Sequence, residues 1–286
     1  MAGPLIECVP NFSEGRNAQT VAAIEQAINS VTGIKLWRSE MDPDHNRSVI
    51  TFTGPSDAVE QAALGAIRTA VERIDLRHHS GVHPRIGAAD VVPFVPLKGV
   101  TLEDCARIAH RVGREVWETL HVPVYFYEAA ASSPDRKPLE NVRRGGFEHP
   151  ALLPDLGGPA LHPTAGACAI GARKLLLAFN INLDSQDLAI AKAIARKIRA
   201  SSGGLPFVKA MGVPLASRKR VQVSMNLTDF EQTPLHRVYA AVCSEAATHG
   251  VAIAETQIVG MVPQKALVGF EVPVDPRQIL EKEATV

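Results

Sequence analysis

Residues 77–87, RHHSGVHPRIG, gather side chains with which a protein moves protons or holds ions. Histidine titrates near neutrality, so His78, His79 and His83 could trade a proton with a substrate, ligate a metal, or face solvent. His79 and His83 are four apart, the spacing that sets two metal ligands together on a helix. Gly81 lies between them and Pro84 follows, however, and both disfavour a helix. No glutamate sits inside the motif and no third ligand is suggested nearby, so no metal is expected. His78 and His79 read as solvated loop residues. His83 has other neighbours: Pro84 stiffens the chain, Arg85 offers a two-pronged grip for a carboxylate, and Gly87 lets the backbone approach a ligand. A histidine beside an anion-binding arginine suits general acid–base work.

Thirty basic and thirty acidic side chains cancel over 286 residues, so no global field selects a nucleic acid or a membrane surface. An anionic ligand must be caught by a local cluster. Cys8, Cys105, Cys168 and Cys243 are far apart and form no C-x-x-C pair, which argues against a zinc knuckle and fits a reduced cytoplasmic protein. The N-terminal MAGPLIECVPNFSEG has neither a basic region nor a long apolar stretch, and no run reaches the roughly 18 apolar residues of a membrane span.

The elements that must position these residues follow from periodicity. LIECVP (5–10) predicts a strand, and Val21, Ile24 and Ile28 mark an amphipathic helix stopped at Gly33. IKLWRSEM (34–41) and RSVITFTG (47–54) predict strands, and Ser56 caps the next helix. VVPFVPL (91–97) predicts a strand that Pro93 and Pro96 should confine to an edge or end. Thr101 with Asp104 forms an acidic capping box before a helix, and VPVYFYEAA (122–130) predicts another strand. Residues 132–168 are rich in Pro and Gly without a sustained period, the mark of a functional loop or a linker.

KLLLAFNINL (174–183) then alternates: Leu175, Leu177, Phe179, Ile181 and Leu183 on one face, Asn180 and Asn182 among those on the other. Helices are expected from Ser185 and from Thr233-Pro234, with strands at KRVQVSMNL and VAIAETQIVG. From 174 to 260 the order is β-α-β-β-α-β, the ferredoxin-like split unit, and residues 5–130 repeat it with one helix and strand added. The fold expected is α/β (α+β): two ferredoxin-like subdomains, 1–175 and 176–286, with a substrate cleft between them.

Six blocks in order now carry a resemblance: ECVPNFSEGRN (7–17), DHNRSVITFTG (44–54), HHSGVHPRIGAADVVPFVP (78–96), GARKLLLAFNINL (171–183), VQVSMNLTDFEQTPLH (221–236) and IVGMVPQKAL (258–267). Together they closely resemble the glutamate formiminotransferase family, the folate-dependent transferases of histidine breakdown. The resemblance implies a homodimer and transfer of a formimino group from N-formimino-L-glutamate to N5 of tetrahydrofolate, a co-substrate used without a metal. It puts the catalytic histidine at His83. It puts the folate-binding loop on GGPALHPTAG, that is Gly157, Gly158, Pro159, Ala160, Leu161, His162, Pro163, Thr164, Ala165 and Gly166. Some relatives carry an aromatic residue where this chain has Ala165. No cyclodeaminase-like region follows, so a separate cyclodeaminase is expected to act on the product.

With those substrates, other residues acquire candidate roles. A carboxylate could fix the tautomer of His83 and hold the amidinium; Glu40, Asp42 and Asp44 are available, and by motif position Glu40 is the closest of the three to an acidic residue of the family site. Arg47, Arg85, Arg173 and Lys174 could meet substrate carboxylates, while the amides of Asn180 and Asn182 suit a pterin edge. Formyl transfer from N-formylglutamate, hydrolysis at the same site, and non-catalytic folate binding are the competing functions.

Overall fold

The structure, a computed structural model, describes residues 4–280. The chain divides into two compact units, one ending at Lys174 and the other starting at Leu175. The first runs β1 (Leu5–Cys8), β2 (Asn11–Phe12), α1 (Ala18–Asn29), β3 (Lys35–Asp42), β4 (Arg47–Gly54), α2 (Ser56–Arg73), β5 (Ala89–Lys98), α3 (Leu102–Leu120), β6 (Val124–Glu128), α4 (Leu139–Val142) and β7 (Cys168–Ala172). β1 and β2 form one line between β4 and β5, with β3 outside β4, all antiparallel. That is the expected ferredoxin-like unit. β7 adds parallel to β5, and β6 parallel to β7, so the last strand in sequence enters between two earlier ones.

Side-chain alternation sorts the two faces of this sheet. Val92, Phe94, Phe126 and Ile170 pack under the helices, against residues such as Ile24, Ile67 and Val112. Val91, Tyr125, Tyr127 and Ala169 point the other way and are covered by Ile86, Val142 and Ala167. Burying each large apolar side chain contributes roughly 1.5–3 kcal/mol. The aperiodic stretch after β6 therefore has a structural task. It folds over the face opposite the helices, with Val142 of the short α4 buried there.

β5 is not at an edge, contrary to expectation. It lies between the β1–β2 line and β7, and the Pro93 carbonyl accepts from Val9 N–H at the break between β1 and β2. A proline there deprives no regular ladder of its donor. β7, unseen in the sequence, has one large apolar residue, Ile170, among small ones that carry no alternation. The capping box at Thr101 and Asp104 is present. Other helix starts differ: α2 begins at Ser56 itself, after Pro55 and without a side-chain cap. Thr233 Oγ1 donates to Pro206 O instead of capping, and α6 begins after Pro234.

The second unit comprises β8 (Leu177–Leu183), α5 (Leu188–Ile198), β9 (Val208–Leu215), β10 (Arg220–Leu227), α6 (Leu235–Thr248) and β11 (Ile253–Val259). α5 is capped by Asp187, not Ser185. Its sheet has the order β11-β8-β10-β9, antiparallel throughout, again ferredoxin-like. Leu177, Phe179, Ile181 and Leu183 meet Val238 and Ile194 in its core, as the alternation predicts. Among the described residues, no helix is long and apolar enough to cross a membrane.

Gly87 approaches the chain's own backbone, not a ligand: a Cβ there would lie 1.8 Å from Ala167 O. The close approach lets Ala167 N–H donate to Ile86 O at 3.0 Å. Gly87→Ala has no rotamer with which to escape, so it is expected to cost about 3 kcal/mol or more in urea unfolding. An unchanged midpoint would mean that the two segments are not held this closely.

Candidate active site

Asp90, the second residue of β5, has a side chain with no solvent exposure. Its placement comes from a β-bulge: Asn11 opposes Val91 and Phe12 opposes Ala89, so Asp90 is the extra residue. Bulges re-aim side chains, and this one turns a carboxylate away from the apolar core. Its Oδ1 accepts from Ile86 N–H at 2.7 Å. Its Oδ2 accepts from Arg47 Nη1 at 2.8 Å and also from Arg143 Nη2. Arg47, the first residue of β4, further donates through Nε to Asn11 Oδ1 at 3.0 Å, and Asn11 is oriented by Val9 O.

His83 is held against this cluster. Its Nδ1 lies 3.1 Å from Arg47 Nη1 and 2.8 Å from the Pro84 carbonyl oxygen. The two neighbours demand opposite tautomers. Arg47 can only donate, which needs a bare Nδ1 and puts the ring proton on Nε2; Pro84 O can only accept, which needs Nδ1–H and leaves Nε2 as a base. Burial, then the cations of Arg47 and Arg143, hold the His83 pKa well below its ordinary value, with His45 adding to the effect. The ring is thus neutral at physiological pH, with its centroid 5.7 Å from that of His45.

The loop carrying His83 is stitched to the turn between β3 and β4. Asn46 Nδ2 donates to Ser80 O at 3.0 Å, and Val82 N–H donates to Asp44 O at 3.2 Å. His79 is part of this stitching, not a solvated residue: its Nε2 donates to Asn46 O at 2.9 Å. His78 is exposed.

Arg85 is occupied within the protein. It donates to Glu148 Oε1 at 2.8 Å and to His79 O at 3.1 Å, so it clamps the loop where a grip on substrate was expected. Glu40 pairs with Arg38 at 2.9 Å and shares the sheet face of Arg47, since Glu40 opposes Val49 and Asp42 opposes Arg47. Arg173 follows β7 and lies by Glu7 and Tyr127; its Nη1 donates to Lys174 O at 3.1 Å, and Lys174 is exposed. Within the loop at 157–166, residues 157–160 are exposed, while Ala165 is buried in the core under the helices. Leu76 N–H donates to Thr164 O, and Ala88 N–H to Ala165 O, so the end of this loop braces the segment that carries His83.

In the second unit, Asn180 and Asn182 are buried on the sheet face away from the apolar core. Asn182 donates to Glu255 Oε2 at 3.0 Å and accepts from Gln222 Nε2 at 2.9 Å. Sequence reasoning passed over Asp90, Asn11, Arg143 and Glu7. Only Arg143 stood outside the quoted blocks: Glu7 and Asn11 lie in ECVPNFSEGRN, and Asp90 lies in HHSGVHPRIGAADVVPFVP, where simple alternation would have turned it into the core. Among the described residues, no group of three His, Cys, Asp or Glu side chains is placed to hold a metal ion.

The fold and the cluster define an α/β protein of paired ferredoxin-like units, with a neutral histidine set beside a buried guanidinium pair. Residues 5–173 match the formiminotransferase domain, N-terminal subdomain, and residues 178–275 match the formiminotransferase domain. The chain belongs to the formiminotransferase family. It is 47% identical to a glutamate formimidoyltransferase of Thermoplasma acidophilum, covering 92% of this chain and 90% of that protein. The one of Streptococcus pyogenes serotype M1 is 41% identical over 92% and 91%. The formimidoyltransferase-cyclodeaminase of Rattus norvegicus is 42% identical over 92% of this chain, which spans 51% of that longer protein.

Glu7 stands apart from the ordinary carboxylates. Burial pushes its carboxyl from 4.5 up to about 7, with Arg173 pulling the other way. The folded state therefore holds this proton to higher pH than the unfolded state does. The stability linked to it is complete below about pH 4.5 and is lost as pH rises through about 7. Glu7→Gln cannot ionise and is expected to gain up to about 3 kcal/mol over the parent at pH 8, with little difference at pH 4. Equal gains at both pH values in urea titrations would show that Glu7 is not the titrating group.

Proposed function

We propose that this chain transfers the formimino group of N-formimino-L-glutamate to N5 of tetrahydrofolate, releasing L-glutamate. Family membership over nearly the whole chain supports the reaction class. The observation that carries the mechanism is the pair of opposed neighbours on His83 Nδ1.

The transferred carbon is an amidine carbon. N5 attacks it, and a tetrahedral carbon bearing three nitrogens forms. The bond to the glutamate nitrogen then breaks. For the balance to close, N5 must lose a proton and the departing nitrogen must gain one. A neutral imidazole takes the first proton at Nε2 and returns it to the second atom. In that step the ring is the tautomer whose Nδ1–H donates to the Pro84 carbonyl, which leaves Nε2 bare to accept; burial and the Arg47 cation keep the ring uncharged beforehand, and the same carbonyl stabilises the imidazolium that forms. Such acid–base work is worth about 10²–10⁴ in rate. Holding the two substrates in register contributes several kcal/mol more.

Glu40 remains the candidate to meet the amidinium, Arg173 and Lys174 to meet carboxylates, and Asn180 with Asn182 to meet the pterin. The loop at 157–166, half exposed and half anchored, is proposed for folate. A homodimer belongs to the same reading and is drawn from the family likeness; a cytoplasmic location rests on the scattered cysteines.

The test is glutamate release from N-formimino-L-glutamate, with and without tetrahydrofolate, in the presence of EDTA. Release that requires the folate is expected; release without it would mean a hydrolase. His83→Ala is expected to lower turnover by about 10²-fold or more. Its folate affinity should stay within about tenfold, roughly 1.4 kcal/mol. Normal turnover in that variant would sink the mechanism. The depressed His83 pKa should also put the acid limb of the kcat/KM profile below pH 6.5, since activity is lost only when the ring protonates.

A further inference from the structure

Two buried guanidiniums share one carboxylate. The side chain of Arg47 is 11% exposed, that of Arg143 12%, and that of Asp90 not at all. Two cations and one anion leave a positive charge in a place where water screens it poorly. Keeping an uncompensated charge out of water is strongly unfavourable. The cost already appears in Arg47, whose pKa falls to about 10 through burial first and the neighbouring Arg143 next.

The hydrogen-bonding accounts agree with the charge. Arg47 spends Nε on Asn11 and Nη1 on Asp90 and His83. Arg143 spends Nη2 on Asp90, while its Nε is buried with no hydrogen-bond partner among the described residues. A guanidinium left with an idle donor is the match for a planar anion that accepts two hydrogen bonds. Arg85, the sequence candidate for that task, is spent on Glu148 and on backbone carbonyls.

We infer that the Asp90-held pair of Arg47 and Arg143 binds the α-carboxylate of the formimino donor, with Arg143 supplying the contact and Asp90 acting as a positioning residue. The inference rests on the transferase reading above and names which carboxylate the site takes. That carboxylate is two bonds from the nitrogen that must be protonated as glutamate leaves. Seating it on the guanidiniums beside His83 brings the departing nitrogen to the imidazole. It also supplies the missing negative charge. Arg143 comes from the segment folded over the sheet after β6, so this stretch would give the site its substrate preference as well as its cover.

The groups that face His83 here are Arg47, Arg143 and His45, with Asp90 behind the arginines. Arg143→Gln leaves Asp90 still paired with Arg47 and with Ile86 N–H, so the fold has no reason to fail. Calorimetric titration with N-formimino-L-glutamate, without folate and therefore without turnover, reads the contact directly. For Arg143→Gln the donor Kd is expected to rise at least about tenfold, and Arg143→Lys should recover part of it. A decarboxylated donor, N-formimino-4-aminobutyrate, should bind the parent weakly and the Gln variant equally weakly. Tetrahydrofolate affinity should not move in either variant.

Donor binding in Arg143→Gln equal to that of the parent, or no donor binding by the parent, overturns this inference. A loss that is the same for both donors would overturn it too, because it would mark a structural role only. A parent enzyme that releases no glutamate when folate is added overturns the transferase reading instead, whatever the titrations give.

Discussion

A carboxylate with no access to water, receiving two arginines and a backbone N–H, is the point on which the first unit's site depends. Asp90 ties β5 to β4 through Arg47, to the covering segment through Arg143, and to the HPRIG loop through Ile86. Those three attachments come from parts of the chain 43, 53 and 4 residues away. A buried ion pair is a poor source of net stability, since desolvation opposes the Coulombic gain. Its use here is geometric. It fixes the guanidinium next to His83, where its charge adds to burial in keeping the ring neutral.

Much of the fold was legible because periodicity reports it locally. Leu177 to Leu183 alternate and line a core; Thr101 and Asp104 cap a helix as their spacing requires. What stayed hidden depended on partners distant in sequence. Pro93 reads as an edge signal until one knows that the neighbouring strand is broken opposite it. β7, Cys168–Ala172, is four small residues around Ile170, and its only strong instruction is the gap waiting for it between β5 and β6.

The site was half legible for the same reason. His83 and Arg47 stand in motifs and meet in space. Arg85 also stands in a motif, yet Glu148, 63 residues away, claims it. Asp90 was invisible as a site residue because a bulge reverses the face that alternation assigns it, and Arg143 lies in a stretch with no period at all. Ala165, named in the loop expected to bind folate, belongs to the core and braces the histidine segment from behind, a place the motif does not disclose.

The strand order has a consequence for the way the chain is made. β6 pairs in the sheet with β7, which is synthesised some forty residues later, counting from Glu128 to Cys168. A nascent chain that has delivered β6 to the ribosome exit therefore carries a strand with nowhere to dock. Arg143 emerges in that same interval, after its carboxylate but before the strand that completes the sheet beside it. The first unit thus cannot be assembled stepwise as it leaves the ribosome; its final third must arrive and close together. Contacts of this kind, which cross long stretches of chain, are slow to form. The reactive histidine gains its setting only at that last closure, so an unfinished chain holds the motif without the site.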